Sequence, residues 1–300
     1  MPDHDEINRT IRLYLSTAPP GCRVEVAFFG GNFTGLPPEI QKEYLEMAMP
    51  YIGSGKITGI RMSTRPDYIT REGLELLKRY RVTTLELGAQ SMDDTVLQQS
   101  GRGHTAEDTR IASSMILDAG FRLGLQMMIG LPGDTPEKSF RTAEEIIRLG
   151  ASETRIYPTL VISNTQLEKE YRQGRYKPLT LDEAAGLTAD LIELFEENDI
   201  TVLKAGLHPS RELAEGSGLI AGPWHPAFRS LAMTRLWLKR FSELQVKKGN
   251  SLTIFINPSA LPEAVGYKKA NRLMLQKNFS IVKFVPDNNL KRSEFRYVVE

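Results

Sequence analysis

Small and polar residues stand where several strand-like segments of this 300-residue chain end. The turn Gly30-Gly31-Asn32 follows the apolar run RVEVAFF and precedes a segment with helical spacing. Glycine at a strand end permits positive φ and lets a ligand approach bare backbone. The chain has four glycine-rich or polar ends of this kind, at residues 30–32, 63–65, 90–91 and 130–133. Because the carboxyl ends of parallel strands share one edge of a sheet, we expect these ends to form one ligand site.

The segments that position these ends alternate between strand and helix. The strand-like runs are RVEVAFFG, ITGIRMST, TTLELGAQS, FRLGLQMMIGLP, TRIYPTLV and DITVLKAGL. Helices lie between most of them: Thr105 with Asp108 and Thr180 with Glu183 make capping-box patterns, and Pro136 follows a threonine cap. This alternation predicts an α/β protein with a parallel sheet, and the number of units favours a barrel or partial barrel.

A second, smaller unit is predicted after residue 245. The polar stretch QVKKGNS is followed by a strand, two short helices and two more strands, so we divide the chain into residues 1–245 and 246–300. From Lys239 to Glu300 there are 12 Lys and Arg against 5 Asp and Glu, whereas the first 238 residues carry 26 against 32. Basic charge is therefore concentrated in the tail, which favours a polyanionic partner.

Five motifs occur in a fixed order between about residues 20 and 230: AFFGGNFTG, RMSTRPDYI, LELGAQSMDDTVLQQSGRGHT, MMIGLPGDT and RIYPTLVISNTQL. In this order and spacing they resemble the radical S-adenosylmethionine (radical SAM) enzymes, in the group related to the Elongator catalytic subunit. The resemblance implies a partial parallel (β/α) barrel that binds SAM at its mouth, joined here to a small C-terminal α/β domain.

The resemblance also implies a role for each strand end. In the family the turn after the second barrel strand is commonly Gly-Gly-Glu and holds the methionine amino group of SAM. Asn32 stands at the third position, where its carbonyl accepts a hydrogen bond without the charge of a carboxylate. The remaining ends would face the SAM carboxylate, ribose and adenine. The residues expected to bind SAM are Gly30, Gly31, Asn32, Ser63, Arg65, Gln90 and Gly130.

The chain departs from this family in its cysteines. Radical SAM enzymes carry a Cys-x3-Cys-x2-Cys loop after the first barrel strand, and its thiolates hold a 4Fe-4S cluster. This chain has one cysteine, Cys22, and its histidines, His4, His104, His208 and His225, have no spacing that could replace three thiolates. No strand precedes RVEVAFF to carry the loop. We therefore expect a barrel without its first strand and no metal site in this chain, which would be inactive as given.

Two segments of the C-terminal third bear on the substrate. His208 and His225 each precede a proline, and they either face a substrate or form ordinary His-Pro turns. The segment VGYKKA, between two predicted helices, resembles the Gly-x-x-Gly turn of the K-homology RNA-binding fold, with Lys269 in place of the second glycine. The expected nucleic-acid contacts are Lys268, Lys269, Arg272 and Lys277.

The favoured function is that of a radical SAM enzyme fragment. By resemblance, its complete form would cleave SAM reductively at a 4Fe-4S cluster and modify a substrate, with tRNA expected as that substrate and an electron donor as a partner. One alternative is a cluster-free protein that binds SAM or RNA without redox chemistry. Another is a barrel enzyme of ordinary acid–base type, for which the sequence offers no paired carboxylates. Without an apolar span or a signal peptide, we expect the cytoplasm.

Overall fold

The computed structural model describes residues 3–19, 21–207, 217–245 and 248–300. Its helices are α1 (His4–Thr17), α2 (Pro38–Gly53), α3 (Arg71–Arg79), α4 (Asp94–Gln99), α5 (Ala106–Asp118), α6 (Pro136–Arg148), α7 (Gln166–Arg172), α8 (Leu181–Glu197), α9 (Phe228–Ser242), α10 (Leu261–Val265) and α11 (Ala270–Leu275). Its strands are β1 (Glu25–Phe28), β2 (Gly59–Thr64), β3 (Val82–Gln90), β4 (Arg122–Ile129), β5 (Glu153–Pro158), β6 (Val161–Ile162), β7 (Thr201–Ala205), β8 (Leu219–Ala221), β9 (Gly249–Ile256), β10 (Phe279–Pro286) and β11 (Phe295–Val299).

A six-stranded sheet has the order β1-β2-β3-β4-β5-β7, and its pairs β1-β2, β2-β3 and β3-β4 are parallel. This confirms the predicted α/β fold and its partial parallel barrel. Strand β3 lies in the interior of the sheet, and its alternate residues Leu85, Leu87 and Ala89 are fully buried on one face. Residues of the other parity, such as Glu86, point to the opposite face of the sheet.

Helix starts follow the sequence signals. In α5 the Thr105 hydroxyl accepts from the Asp108 amide while the Asp108 carboxylate accepts from the Thr105 amide, so the predicted capping box forms. Thr180 and Glu183 make the same reciprocal pair at the start of α8. These caps fix the residue at which each helix begins after the short helix that precedes it.

The chain divides into two compact units, of which the first comprises Met1–Met127 with Glu137–Arg155 and the second Met128–Pro136 with Ile156–Glu300. The second contains a three-stranded sheet of order β10-β9-β11, in which β10 runs parallel and β11 antiparallel to β9. Rings of α9 pack on it: Phe241 lies 5.3 Å from Phe295 and 6.1 Å from Phe284, measured between ring centroids. The small C-terminal sheet domain is confirmed. The predicted division at residue 245 stays a prediction.

Within the described residues, no helix is long and apolar enough to cross a membrane.

Candidate functional site

The turn after β1 has the backbone that its glycines predict. Gly30 has φ +100°, a conformation that L side chains rarely adopt, whereas Gly31 has an ordinary φ. A Cβ built on either residue would meet no atom within 4 Å, so the turn faces open space. A ligand can therefore reach the backbone of both glycines.

Asn32 ties this turn to the neighbouring strand. Its side-chain carbonyl accepts from the Thr64 hydroxyl at 2.7 Å and from the Arg65 amide at 3.2 Å. An amide oxygen has two lone pairs, and both hydrogen bonds are made within the protein. Asn32 thus fixes the end of β1 against the end of β2, a positioning role that sequence reasoning did not assign to it.

Ser63 and Arg65, two other predicted residues of the first unit, also have partners within the protein. Ser63 accepts from the Gln126 side chain at 3.2 Å, and Arg65 makes a bidentate pair with Asp67 at 2.9 and 2.8 Å. The hydrogen bond from Arg65 lowers the pKa of Asp67. Gln90 ends β3 with φ +62°. This left-handed conformation is uncommon for a residue other than glycine, and the Gln90 side-chain nitrogen lies beside Gly88 of the same strand.

A groove of about 810 Å³ runs along β1 within the first unit. One wall is α1, with Ile7, Ile11 and Tyr14, and the other is formed by the strand itself. Four predicted SAM-binding residues line the groove, namely Gly30, Gly31, Asn32 and Ser63. Because β1 is the last strand in the sheet order, the described chain places no strand on this side of it.

Gly130 belongs to the second unit and has φ +72°. Its amide donates to Asp134 at 2.9 Å and its carbonyl accepts from the Tyr176 hydroxyl at 2.6 Å. Burial, with a smaller contribution from the Asp134 charge, raises the pKa of Tyr176 to about 12. Backbone groups expected to flank adenine thus hold the unit's own loop together.

Sequence reasoning missed a buried charge network in the first unit. Glu86, with 1% of its side chain exposed, accepts from Arg61, from Gln126 and, in bidentate fashion, from Arg155 at 2.6 and 3.1 Å. Arg61 also binds Glu153 and, at 3.3 Å, Glu25. The carboxylates of β3 and β5 are therefore joined through one guanidinium, in an ion network rather than as the pair of free carboxylates that acid–base chemistry needs.

The two carboxylates differ in their pKa shifts. Burial opposes ionisation of Glu86, but the hydrogen bonds and charges of Arg155 and Arg61 outweigh it and lower the pKa. At Glu153 burial dominates, and with the nearby charge of Glu86 it raises the pKa despite Arg61. The available signal was the placement of charged residues in the middle of otherwise apolar strands, as in LELG and ETRIYP.

The network reaches the candidate ligand site by two routes. Gln126 donates both to Glu86, at 3.0 Å, and to Ser63. The Arg155 guanidinium lies over the Phe29 ring, with 4.6 Å from Cζ to the ring centroid, and Phe29 directly precedes the glycine turn. Glu86 therefore helps to position two residues of the groove.

The residues present do not fit an iron–sulfur cluster. Cys22 is the single cysteine of the sequence and is exposed, and the described residues contain no group of three His, Cys, Asp or Glu side chains that could hold a metal ion. A 4Fe-4S cluster of this kind takes several thiolates. His104 is buried and its Nε2 donates to the Ala89 carbonyl at 3.1 Å, a structural role.

The basic turn of the second unit is left-handed over two consecutive lysines. Lys268 has φ +51° and Lys269 φ +64°, after Gly266 at φ +86°. The lysines are exposed, as are the predicted contacts Arg272 and Lys277. Left-handed residues other than glycine cost free energy and cluster at functional sites.

Of the two histidines considered as substrate-facing, one can be placed. The ring of His225 packs edge-on against Tyr267, 5.5 Å between centroids, and its Nδ1 accepts from the Ala227 amide at 3.0 Å. That hydrogen bond is typical of a satisfied turn. His208 lies outside the described residues.

Comparisons with known proteins match this architecture. A family model described as "Radical SAM superfamily" matches residues 2–146, and a second one, described as "Radical_SAM C-terminal domain", matches residues 151–240. The chain belongs to the radical SAM superfamily. It is similar to Elongator complex protein 3 of Saccharomyces cerevisiae, with 30% identity over 192 residues, which is 57% of this chain and 34% of the relative. It is also similar to a tRNA uridine(34) acetyltransferase of Dehalococcoides mccartyi, with 25% identity over 208 residues, 63% of this chain and 45% of the relative.

A solved structure of the archaeal Methanocaldococcus infernus Elp3 has the same fold, with a TM-score of 0.67 and 20% identity over 80% of this chain and 59% of that one. Streptococcus suis SuiB, solved with S-adenosylmethionine bound, has a TM-score of 0.50 and 12% identity over 71% of this chain and 45% of that one. The chain spans about a third to a half of the length of the two curated relatives above.

Proposed function

We propose that this chain is the SAM-binding part of a radical SAM enzyme that modifies tRNA. The observation that carries the proposal is the open glycine turn at the end of β1, beside a groove of about 810 Å³, in a chain of this superfamily. The tRNA substrate is inferred from relatives named for tRNA chemistry. Residues 1–245 would bind SAM, with Arg65 and Gln90 completing the site at the glycine turn, and residues 246–300 would bind RNA. We place this activity, with its electron donor, in the cytoplasm.

SAM binding is tested by isothermal titration of the chain with SAM. Gly31→Leu should weaken binding at least tenfold, because the new side chain enters the groove without meeting protein atoms at its Cβ. Gly53→Leu is the matched control, since a Cβ at Gly53 also meets nothing within 4 Å and Gly53 lies at the end of α2. Equal binding by wild type and Gly31→Leu would remove the groove from the proposal.

The cluster of the complete enzyme has to come from residues other than those described. We propose that a further strand pairs with the free edge of β1, occupies the part of the groove beside that strand while leaving the Gly30–Gly31 end to SAM, and carries a Cys-x3-Cys-x2-Cys loop. The reading frame before Met1 should encode that strand and loop in phase. After anaerobic incubation with iron and sulfide, the present chain should stay colourless and the extended chain should turn brown.

An in-phase stop codon just before Met1 would instead favour a cluster-free protein that binds SAM or RNA without redox chemistry. The specific observation behind this second candidate is the single exposed cysteine. Under it, the chain as given is inactive as a radical SAM enzyme but still binds SAM or RNA.

The RNA half is tested by titrating tRNA at several salt concentrations. Binding through phosphates should weaken steeply with salt, with a log–log slope of about −0.7 per phosphate neutralised on a single strand. Replacing Lys268 and Lys269 by glutamine should make the slope shallower by about 1.4. The matched control replaces Lys42 and Lys56, which are exposed lysines of the first unit. Unchanged binding by the Lys268 and Lys269 variant would exclude the turn as an RNA contact.

A further inference from the structure

The three-stranded sheet of the second unit has one face covered and one open. Toward the helices it presents Leu252, Ile254 and Ile256, all fully buried. The opposite face follows from the register, in which Ser251, Thr253 and Phe255 of the central strand stand beside residues of both neighbours. Those neighbours are half-buried or exposed, with Ile281 at 51% and Val298 at 45%. The residues of this open face are Ser251, Thr253, Phe255, Ile281, Lys283, Val285, Arg296 and Val298.

A fixed arginine–aromatic stack lies on the open face. The Arg296 guanidinium stands over the Phe255 ring, with 3.7 Å from Cζ to the centroid. Its Nε donates to the Asp287 carboxylate at 3.1 Å, so the guanidinium is held from its edge. The Arg296 side chain is still 55% exposed, so the face of the guanidinium opposite Phe255 is open to solvent.

The anchor of this stack is itself well held. The Asp287 amide donates to the Ile256 carbonyl at 2.8 Å, and its carboxylate accepts from the Asn289 amide at 3.0 Å. The Asn289 hydrogen bond, followed by that of Arg296, lowers the pKa of Asp287. The carboxylate therefore stays ionised and keeps the guanidinium in one orientation.

A planar cation over an aromatic ring is a surface on which nucleobases stack, and proteins recognise single-stranded RNA in this way. Lys283 stands on the same face, beside Thr253 and one row away from Phe255. An ammonium at that position suits a phosphate of the same strand. The tail as a whole is basic, with 12 Lys and Arg against 5 Asp and Glu from Lys239 to Glu300.

We propose that the open face binds a single-stranded RNA segment, with one base stacked on the Arg296–Phe255 pair and a neighbouring phosphate at Lys283. The proposal deepens the proposed function, on whose tRNA substrate it rests. It adds a second RNA contact distinct from the Lys268–Lys269 turn. That turn lies on the helix side of the sheet, where the Tyr267 amide donates to Thr234 of α9 at 2.7 Å.

The test is fluorescence anisotropy of a labelled 12-nucleotide oligouridylate at low salt. Arg296→Lys keeps the positive charge but lacks the planar guanidinium on which a base can stack. The affinity for the oligonucleotide should therefore fall about tenfold, while the log–log dependence of binding on salt stays unchanged. Lys283→Gln should make the slope shallower by about 0.7. The matched control is Arg292→Lys, an exposed arginine that pairs with Glu263 and lies off this face. Circular dichroism verifies that each variant is folded, and Phe255→Leu repeats the stacking test from the ring side.

Two outcomes would overturn the proposal: Arg296→Lys binding the oligonucleotide like Arg292→Lys, or no binding by the wild type. A face that instead binds protein would give the second result. If tRNA binding still depends on Lys268 and Lys269 in that case, the RNA part of the proposed function survives alone. If the stacking dependence is found but SAM does not bind, the open-face inference stands and the enzyme assignment fails.

Discussion

Replacing Glu86 with glutamine tests the buried charge network of the first unit. The substitution keeps the size of the side chain and one acceptor oxygen, but it removes the charge that Arg61 and Arg155 share. Those guanidiniums have 13% and 17% of their side chains exposed, so water replaces little of the lost attraction.

The expected cost is large because one member of a buried ion network is lost. Removing one partner of a buried pair typically costs about 3–5 kcal/mol, since the remaining charge is uncompensated. Arg61 retains Glu153 and Glu25, whereas the bidentate bond of Arg155 is weakened. We therefore expect a loss of about 3 kcal/mol at pH 7. Glu107→Gln is the control: Glu107 is 65% exposed and pairs with Arg110 on the surface, so the loss should stay below about 1 kcal/mol.

The pH dependence separates Glu86 from Glu153. The pKa of Glu86 is lowered in the folded state, so its stabilisation is complete above the unfolded value of about 4.3 and is lost as pH falls through the folded value. In Glu86→Gln, the free energy of unfolding should no longer show this decrease at acidic pH. The pKa of Glu153 is raised, so its contribution is present below about 4.3 and is lost as pH rises through the folded value. Glu153→Gln should therefore cost less than Glu86→Gln at pH 7.

The assay is urea denaturation followed by far-ultraviolet circular dichroism from about pH 2 to about pH 8, a range that includes the acid side on which the Glu86 contribution is lost. A shift of the midpoint at constant slope against urea identifies a change in stability alone. If Glu86→Gln loses no more free energy of unfolding than Glu107→Gln, the network does not hold the strands together in solution. If Glu86→Gln and Glu153→Gln have the same pH profile, the assigned pKa directions are wrong.

Three further tests, with five substitutions, concern individual local features. Gly30→Ala should cost about 1–2 kcal/mol because of its positive φ, whereas Gly31→Ala should change the urea midpoint little. Tyr176→Phe removes the hydroxyl that donates to Gly130 and should cost about 1–2 kcal/mol by the same denaturation. In the wild type, absorbance at 295 nm should show Tyr176 ionising near pH 12. The stabilisation that Tyr176 contributes is complete below about pH 10 and should be lost as the tyrosine ionises. Asn32→Asp keeps both accepted hydrogen bonds and should unfold like the wild type, whereas Asn32→Leu should cost about 1–3 kcal/mol, and equal midpoints for the two would show that these bonds do not form.

Local signals were sufficient to predict the order of the elements. Apolar runs located the strands of the sheet, and the threonine caps located the starts of α5 and α8. The left-handed backbone at Gly30 follows from the residue type, because glycine alone adopts it freely. These features depend on a few neighbouring residues.

Contacts between strands could not be predicted in the same way. Arg61 meets Glu86 and Glu153 only because the sheet brings β2, β3 and β5 near one another, although these partners lie 25 and 92 positions from Arg61 along the chain. The double acceptance by Asn32 likewise depends on where β2 ends beside the turn. A strand shifted by one residue would turn its own side chains to the other face and break these contacts.

The buried network has a consequence for how this protein can change over evolutionary time. Its edge also includes Arg122, which pairs with Glu25 and is 48% exposed. The six charged residues then carry three positive and three negative charges, and each salt bridge joins different strands. A single substitution at Glu86 removes compensation from two buried guanidiniums, whereas an exchange of both partners of a pair for apolar residues of similar volume can be nearly neutral. We therefore expect these positions to vary among relatives in balanced sets rather than singly. The set is Glu25, Arg61, Glu86, Arg122, Glu153 and Arg155.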